Sequence, residues 1–168
     1  MENKSVNKDS NDNSSRKIEG FEDFNIYKQA RILTKYIYEI TRKGEFSRDF
    51  GLVTQIRRAA VSIMSNISEG FERGTNKEFI QFLYYSKGSC GEVRTQLTVA
   101  LDQKYIDRQI HDELNTQCRR ISGMISNLIS YLHKSHFHGS KFKKQQCKNV
   151  VEVPNEVIEK IKKDWTKK

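Results

Sequence analysis

A single proline, Pro154, stands in the 168 residues of this chain. Proline removes a backbone donor and clashes with the preceding helical turn, so its scarcity favours long helices over a turn-rich β fold. Cysteine is scarce too. Cys90, Cys118 and Cys147 are an odd number without paired spacing, which predicts reduced thiols in a cytoplasmic protein. No N-terminal apolar run resembles a signal peptide. No stretch reaches the roughly 18 apolar residues needed to cross a bilayer, so no membrane association is expected.

Catalytic constellations are also missing. Di-metal bundles use Glu-x-x-His on two helices, and no such spacing occurs, so Glu69 and Glu92 are not read as metal ligands. His133, His136 and His138 form H-x-x-H-x-H with Cys147 downstream. That spacing matches no zinc finger, and these residues read as polar tail groups beside a basic run. Cys90 has no histidine in the first three apolar segments to activate it, so it reads as a buried structural thiol. No enzyme, metal or cofactor is expected.

What the chain does have is positive charge, unevenly placed. The total is +9. Residues 1–20 are balanced, residues 21–132 hold sixteen basic and thirteen acidic groups, and residues 133–168 hold ten basic and four acidic. A basic tail suits an anionic partner, nucleic acid before membrane, or simply keeps the chain soluble.

Residues 1–20 are rich in Asn, Ser, Lys and Asp with little to bury, and are expected to form a disordered tail. Four apolar stripes follow. Ile26, Ala30, Leu33, Ile37 and Ile40 recur in steps of four and three, as do Val53, Ile56, Ala60, Ile63 and Ile67. Phe79, Leu83, Ser86, Cys90, Val93, Leu97 and Ala100 make the third stripe. Ile110, Leu114, Gln117, Ile121, Ile125, Leu128 and Leu132 make the fourth, with Gln117 its polar interruption. Gly44 suits a helix stop, Gly70 and Gly74 mark the end of the second segment, and Asp49 or Ser47 suits the start of that segment. Thr75 and Glu78 have capping-box spacing, and Asp107 suits a fourth cap. Segments of about 25 residues joined by short links predict an all-α, antiparallel up-down-up-down four-helix bundle over residues 21–133. In the basic extension, residues 134–168, Pro154 can open a short helix near 154–165 with Val157, Ile158, Ile161 and Trp165 on one side.

The third segment spends Ser86, Gly88, Ser89, Cys90 and Gly91 where large apolar residues would be ordinary. Small side chains let helix axes approach closely, and the small patch Ala59, Ala60, Ser62, Ser65, Asn66 and Ser68 is the expected partner. Two glycines inside a helix cost about 1 kcal/mol each against alanine, which close packing would offset. A buried polar network of Asn66, Glu69, Ser89 and Glu92 is expected to fix register, with Glu69 also placed to pair with Arg73.

The run QIRRAAVSIMSNISEGFERGTNKEFIQFLYYSKGSCGEVRTQL resembles the four-helix-bundle proteins encoded within intervening sequences of bacterial 23S ribosomal RNA genes. The matching pieces are Q-I-R-R-A at 55–59, S-I-x-x-N-I-x-E-G at 62–70, K-E-F-x-x-F-L at 77–83 and G-S-x-x-E at 88–92. FEDFNIYKQA resembles that family's first helix, and the resemblance spans roughly residues 21–132. GEFSRDFGL departs from the pattern in lacking a proline. The resemblance implies a homo-oligomer, a pentameric ring, related to the accessory proteins of diversity-generating retroelements, which are basic bundles that bind a reverse transcriptase and nucleic acid.

Two functions follow as expectations. One is a non-catalytic nucleic-acid-binding homo-oligomer, an accessory to an RNA or reverse-transcriptase complex. The other is a scaffold oligomer that recruits protein partners through its last helix. For the first, Arg57, Arg58, Arg73, Lys77, Lys87, Arg94, Arg119 and Arg120, with Lys141, Lys143 and Lys144 in the tail, are the phosphate-contact candidates. The same residues would also suit an ordinary solvated surface. Tyr84, Tyr85 and Phe82 are adjacent and cannot all face one core, so one of them is expected at a subunit contact.

Overall fold

The structure, a computed structural model, describes residues 18–134. The expectations for residues 1–17 and 135–168, including Lys141, Lys143, Lys144, His136, His138, Cys147 and the last helix, lie outside them. Four α-helices follow one another: α1 Asn25–Ile40, α2 Phe50–Glu72, α3 Asn76–Asp102 and α4 Arg108–Lys134, with 3-10 turns at Phe21–Asp23 and Glu45–Arg48. Each helix packs on the next and α4 closes against α1, giving the four-helix bundle that the stripes predict.

The caps act as their side chains dictate. Asp49, and not Ser47, accepts from the Leu52 amide at 2.9 Å and starts α2. Thr75 accepts from the Glu78 amide at 3.2 Å, and Asp107 accepts from the Ile110 amide at 2.8 Å. Each satisfies one of the donors that a helix start leaves without an intrahelical partner. Gly44 and Gly74 take positive φ angles of 55° and 74°, where a side chain would be strained.

The first three stripes are buried as expected, apart from Ile40, which is half-buried. In the fourth, Leu114, Ile121 and Ile125 are buried as expected, while His111, Cys118 and Ile129 take the buried places one position on from Ile110, Gln117 and Leu128. Ile110, Leu128 and Leu132 pack at the edge of the core. Gln117 is half-buried there, and its Oε1 has no hydrogen-bond partner among the described residues.

The equal lengths expected of the four helices fail for α1, which has 16 residues against 27 in α3 and α4. At 3.6 residues per turn it falls short of α4 by about three turns and of α2, with 23 residues, by about two. The chain between Gly44 and Asp49 fills the gap. Phe46 is only 1% exposed and stacks on Tyr105 from the α3–α4 link, with ring centroids 5.2 Å apart. The Tyr105 hydroxyl reaches Asp49 at 3.4 Å, so two links are tied together at one end of the bundle. At the other end, Phe24, Phe71 and Phe79 meet edge-on or tilted, with centroids 5.6 to 6.2 Å apart.

The α2–α3 contact is the most extensive in the bundle, and small residues make it close. The residue that demands closeness is Gly70, inside α2 and buried, and not a mark of its end. A Cβ there would stand 2.6 Å from the Phe82 Cβ and 3.3 Å from the Phe79 Cα. Gly88 and Gly91 are not part of this contact: a Cβ on either meets nothing within 4 Å. Both lie off the buried stripe and look outward.

Candidate nucleic-acid interface

The expected polar network exists in a smaller form. Ser62 on α2 and Ser89 on α3 share a 2.9 Å hydrogen bond. Asn66 donates to the Ser62 carbonyl at 2.8 Å and to its hydroxyl at 3.0 Å. Ser86 donates to the Ile63 carbonyl at 2.9 Å. Glu69 and Glu92 are exposed and stand outside this network, because burying either carboxylate here would strip its water without a cation to replace it. Glu69 instead pairs with Arg73 at 2.7 Å.

The basic candidates divide by what they already hold. Arg57 is committed to the fold. Its Nε donates to the Thr41 hydroxyl at 2.8 Å and its Nη2 to the Thr41 carbonyl at 3.1 Å. Its guanidinium lies 4.8 Å from the Tyr38 ring centroid. Arg73 is tied to Glu69 and lies 5.4 Å from the Phe82 ring; the Glu69 hydrogen bond and charge raise its pKa further. Arg94 is half-buried, and its Nε donates to Asn115 Oδ1 on α4 at 2.9 Å. Arg58, Lys77, Lys87, Arg119 and Arg120 are exposed and make no ion pair among the described residues.

Helical geometry brings part of this set together. α3 and α4 run antiparallel and touch at Arg94 and Asn115, so earlier turns of α3 face later turns of α4. Lys87 lies two turns before Arg94 on the same flank, and Arg119 one turn after Asn115 on the matching flank. Lys87, Arg94 and Arg119 therefore share the outer groove between α3 and α4. Tyr84, 49% exposed, stands on this flank, and Gly91 leaves the groove open between Lys87 and Arg94. Arg108 extends the row; its seven-residue step to Asn115 is the sequence signal that would have marked it. Asp102 and Asp112 lie toward that same far end, where Asp112 is bonded to His111 at 2.7 Å. Arg120 points away from the groove. Arg58 opens on a different surface, a cleft of about 650 Å³ beside Tyr38 and Val61.

The family model of the 23S rRNA-intervening sequence proteins matches residues 22–127, more than half of the chain. The chain belongs to this family. Among solved structures, the intervening-sequence chain is similar to a crystal structure of a protein with unknown function from the S23 ribosomal protein family of Bacteroides thetaiotaomicron VPI-5482. The two are 20% identical with a TM-score of 0.57, over 62% of this chain and 97% of that one. At this identity the likeness shows the fold alone. No curated protein matches.

The two cysteines among the described residues are not activated thiols. Burial pushes the Cys90 and Cys118 thiols up to about 12, against an opposing pull from Arg94. Both stay protonated, the wrong state for attack. Among the described residues, no group of three or more His, Cys, Asp or Glu side chains is placed to hold a metal ion, and no helix is long and apolar enough to cross a membrane.

Proposed function

We propose that this intervening-sequence protein is a non-catalytic nucleic-acid-binding homo-oligomer whose bundle seats a phosphate backbone in the α3–α4 groove. The observation that carries the reading is the row Lys87, Arg94 and Arg119 along one groove, beside an exposed Tyr84. Lysine and arginine there supply charge, Gly91 leaves room for close approach, and a tyrosine face can stack on an unpaired base. The ten basic residues of positions 133–168 add to the same attraction. Within this reading the protein is an accessory subunit that presents nucleic acid to an enzyme such as a reverse transcriptase, and a ring of copies, a pentamer, repeats the groove around its rim.

The test is a binding isotherm for single-stranded and double-stranded RNA and DNA, repeated across salt concentrations. Affinity that falls log-linearly with salt supports phosphate contact, because each contact releases counterions. Affinity indifferent to salt sinks the reading. Light scattering on nuclease-treated protein tests the assembly, and a mass of 19.7 kDa, that of one chain, would remove it.

A further inference from the structure

At the end of the bundle where α1 begins and α4 finishes there is an apolar cavity of about 400 Å³. Phe71, Phe79, Leu128, Tyr131 and Leu132 wall it, with Ile18 at its edge. Tyr131 is 68% exposed and Ile18 48%. Large apolar groups gathered around an open hollow mark a surface that something covers.

We propose that the chain's own C-terminal segment, from Pro154 onward, docks here and places Trp165 against this cavity. The chain leaves α4 at Lys134, two residues past Leu132 in the cavity wall, so the segment is delivered to the site. The length of residues 135–153, at about 3.3–3.6 Å per extended residue, is enough for the segment to reach the cavity from any approach. A tethered segment is present at an effective concentration near millimolar, so even weak docking is largely occupied.

Chemistry singles out this segment. Val157, Ile158, Ile161 and Trp165 recur at helical spacing and form one apolar face. Residues 1–17 offer only Met1 and Val6 as apolar side chains, and in residues 135–149 Phe137 and Phe142 stand singly among polar and basic residues. Glu72 stands on the cavity rim, and at helical spacing Lys160 and Lys162 lie on either side of the apolar face, with Asp164 beside one edge and Lys163 opposite. Docking would gather the basic tail at one end of the bundle.

Trp165 is the only tryptophan, so its fluorescence reports on this contact alone. In the full chain its emission is expected to be blue-shifted from that of the urea-unfolded chain and protected from acrylamide. Ile161→Glu falls outside the described residues and Tyr131→Glu replaces an exposed residue, so both variants are expected to keep the urea unfolding midpoint of the four-helix bundle. Both are expected to shift the emission red and remove the protection. Native emission equal to that of the unfolded chain overturns the proposal, as does a blue shift that Tyr131→Glu leaves in place. A third outcome overturns the choice of occupant. Tyr131→Glu chains refolded together with Trp165→Phe chains would regain the blue shift if the segment docked on a second copy. These readouts contain no nucleic acid, so they stand apart from the fate of the phosphate-groove reading.

Discussion

Arg57, on α2, closes the C-terminal end of α1 by donating to both the hydroxyl and the carbonyl of Thr41, at 2.8 and 3.1 Å. Thr41 is 1% exposed, so no water can take over these contacts freely. The guanidinium also meets the negative end of the α1 dipole. Arg57→Ala is expected to cost about 1–3 kcal/mol in urea unfolding, since it leaves a buried carbonyl without its partner. Arg57→Lys should recover only part of this, because an ammonium lacks the planar fork that makes both bonds. An Arg57→Ala variant as stable as the parent would remove Arg57 from this structural role.

The glycines separate in the same assay. Gly70→Ala drives a methyl against Phe82 and Phe79 and is expected to destabilise the bundle by about 1–3 kcal/mol, outweighing the helix preference of alanine. Gly88→Ala and Gly91→Ala enter open space and are expected to stabilise it by about 0.5–1 kcal/mol each. Equal effects at positions 70 and 88 would contradict the packing described.

Much of this was legible in the residues. The step of four and three that carries Val53 to Ile67 continues to position 70, so Gly70 sits on the buried stripe by arithmetic alone. Gly88 misses the stripe of Ser86 and Cys90 by the same arithmetic, and composition without phase misplaces it. Asp49, Thr75 and Asp107 were legible as caps because capping depends on local sequence. The role of Arg57 was not, because Thr41 is 16 residues away and only the crossing of α1 and α2 brings them together. The short α1 escaped for a similar reason: Phe46 fills the core from a turn, and periodicity is silent about turns. The α3–α4 groove needed one observed contact, Arg94 to Asn115, to fix the register between two stripes.

Lys87 and Arg119 share a groove that Arg120 does not enter. Lys87→Ala and Arg119→Ala are each expected to lower the salt slope of nucleic-acid binding by about 1, with stability changed by less than about 0.5 kcal/mol. Arg120→Ala is the neighbouring control and should leave the slope closer to that of the parent. Three equal effects would mean diffuse attraction and no groove.

Gln117 projects an amide oxygen into the bundle without a partner among the described residues. Gln117→Leu is expected to raise stability by about 1 kcal/mol, because it removes a buried polar group that gains no hydrogen bond. A loss of stability in urea unfolding would show that a water or a partner chain completes the amide.

The two buried thiols make stability fall in alkali. Burial raises Cys90 and Cys118 from 9.0 to about 12, so the native state keeps protons that the unfolded chain releases. Their contribution is fully present below about pH 9 and is lost as pH climbs toward 12. Urea midpoints measured across this window should drop more steeply in the parent than in the Cys90→Ala/Cys118→Ala variant. At pH 8, both thiols should resist alkylation until the bundle unfolds.

Ile18 and Leu132 line one cavity, so the first and last helices bring their outer ends to a single pole. The opposite pole carries the Phe46–Tyr105 stack and no chain end of the bundle. A circular permutant follows directly: a short peptide joining the ends, with new termini opened between Gln103 and Asp107, would retain every helix. Fusions placed at either end would crowd the same pole, and an anchor grafted at the other would leave the α3–α4 groove clear along its length.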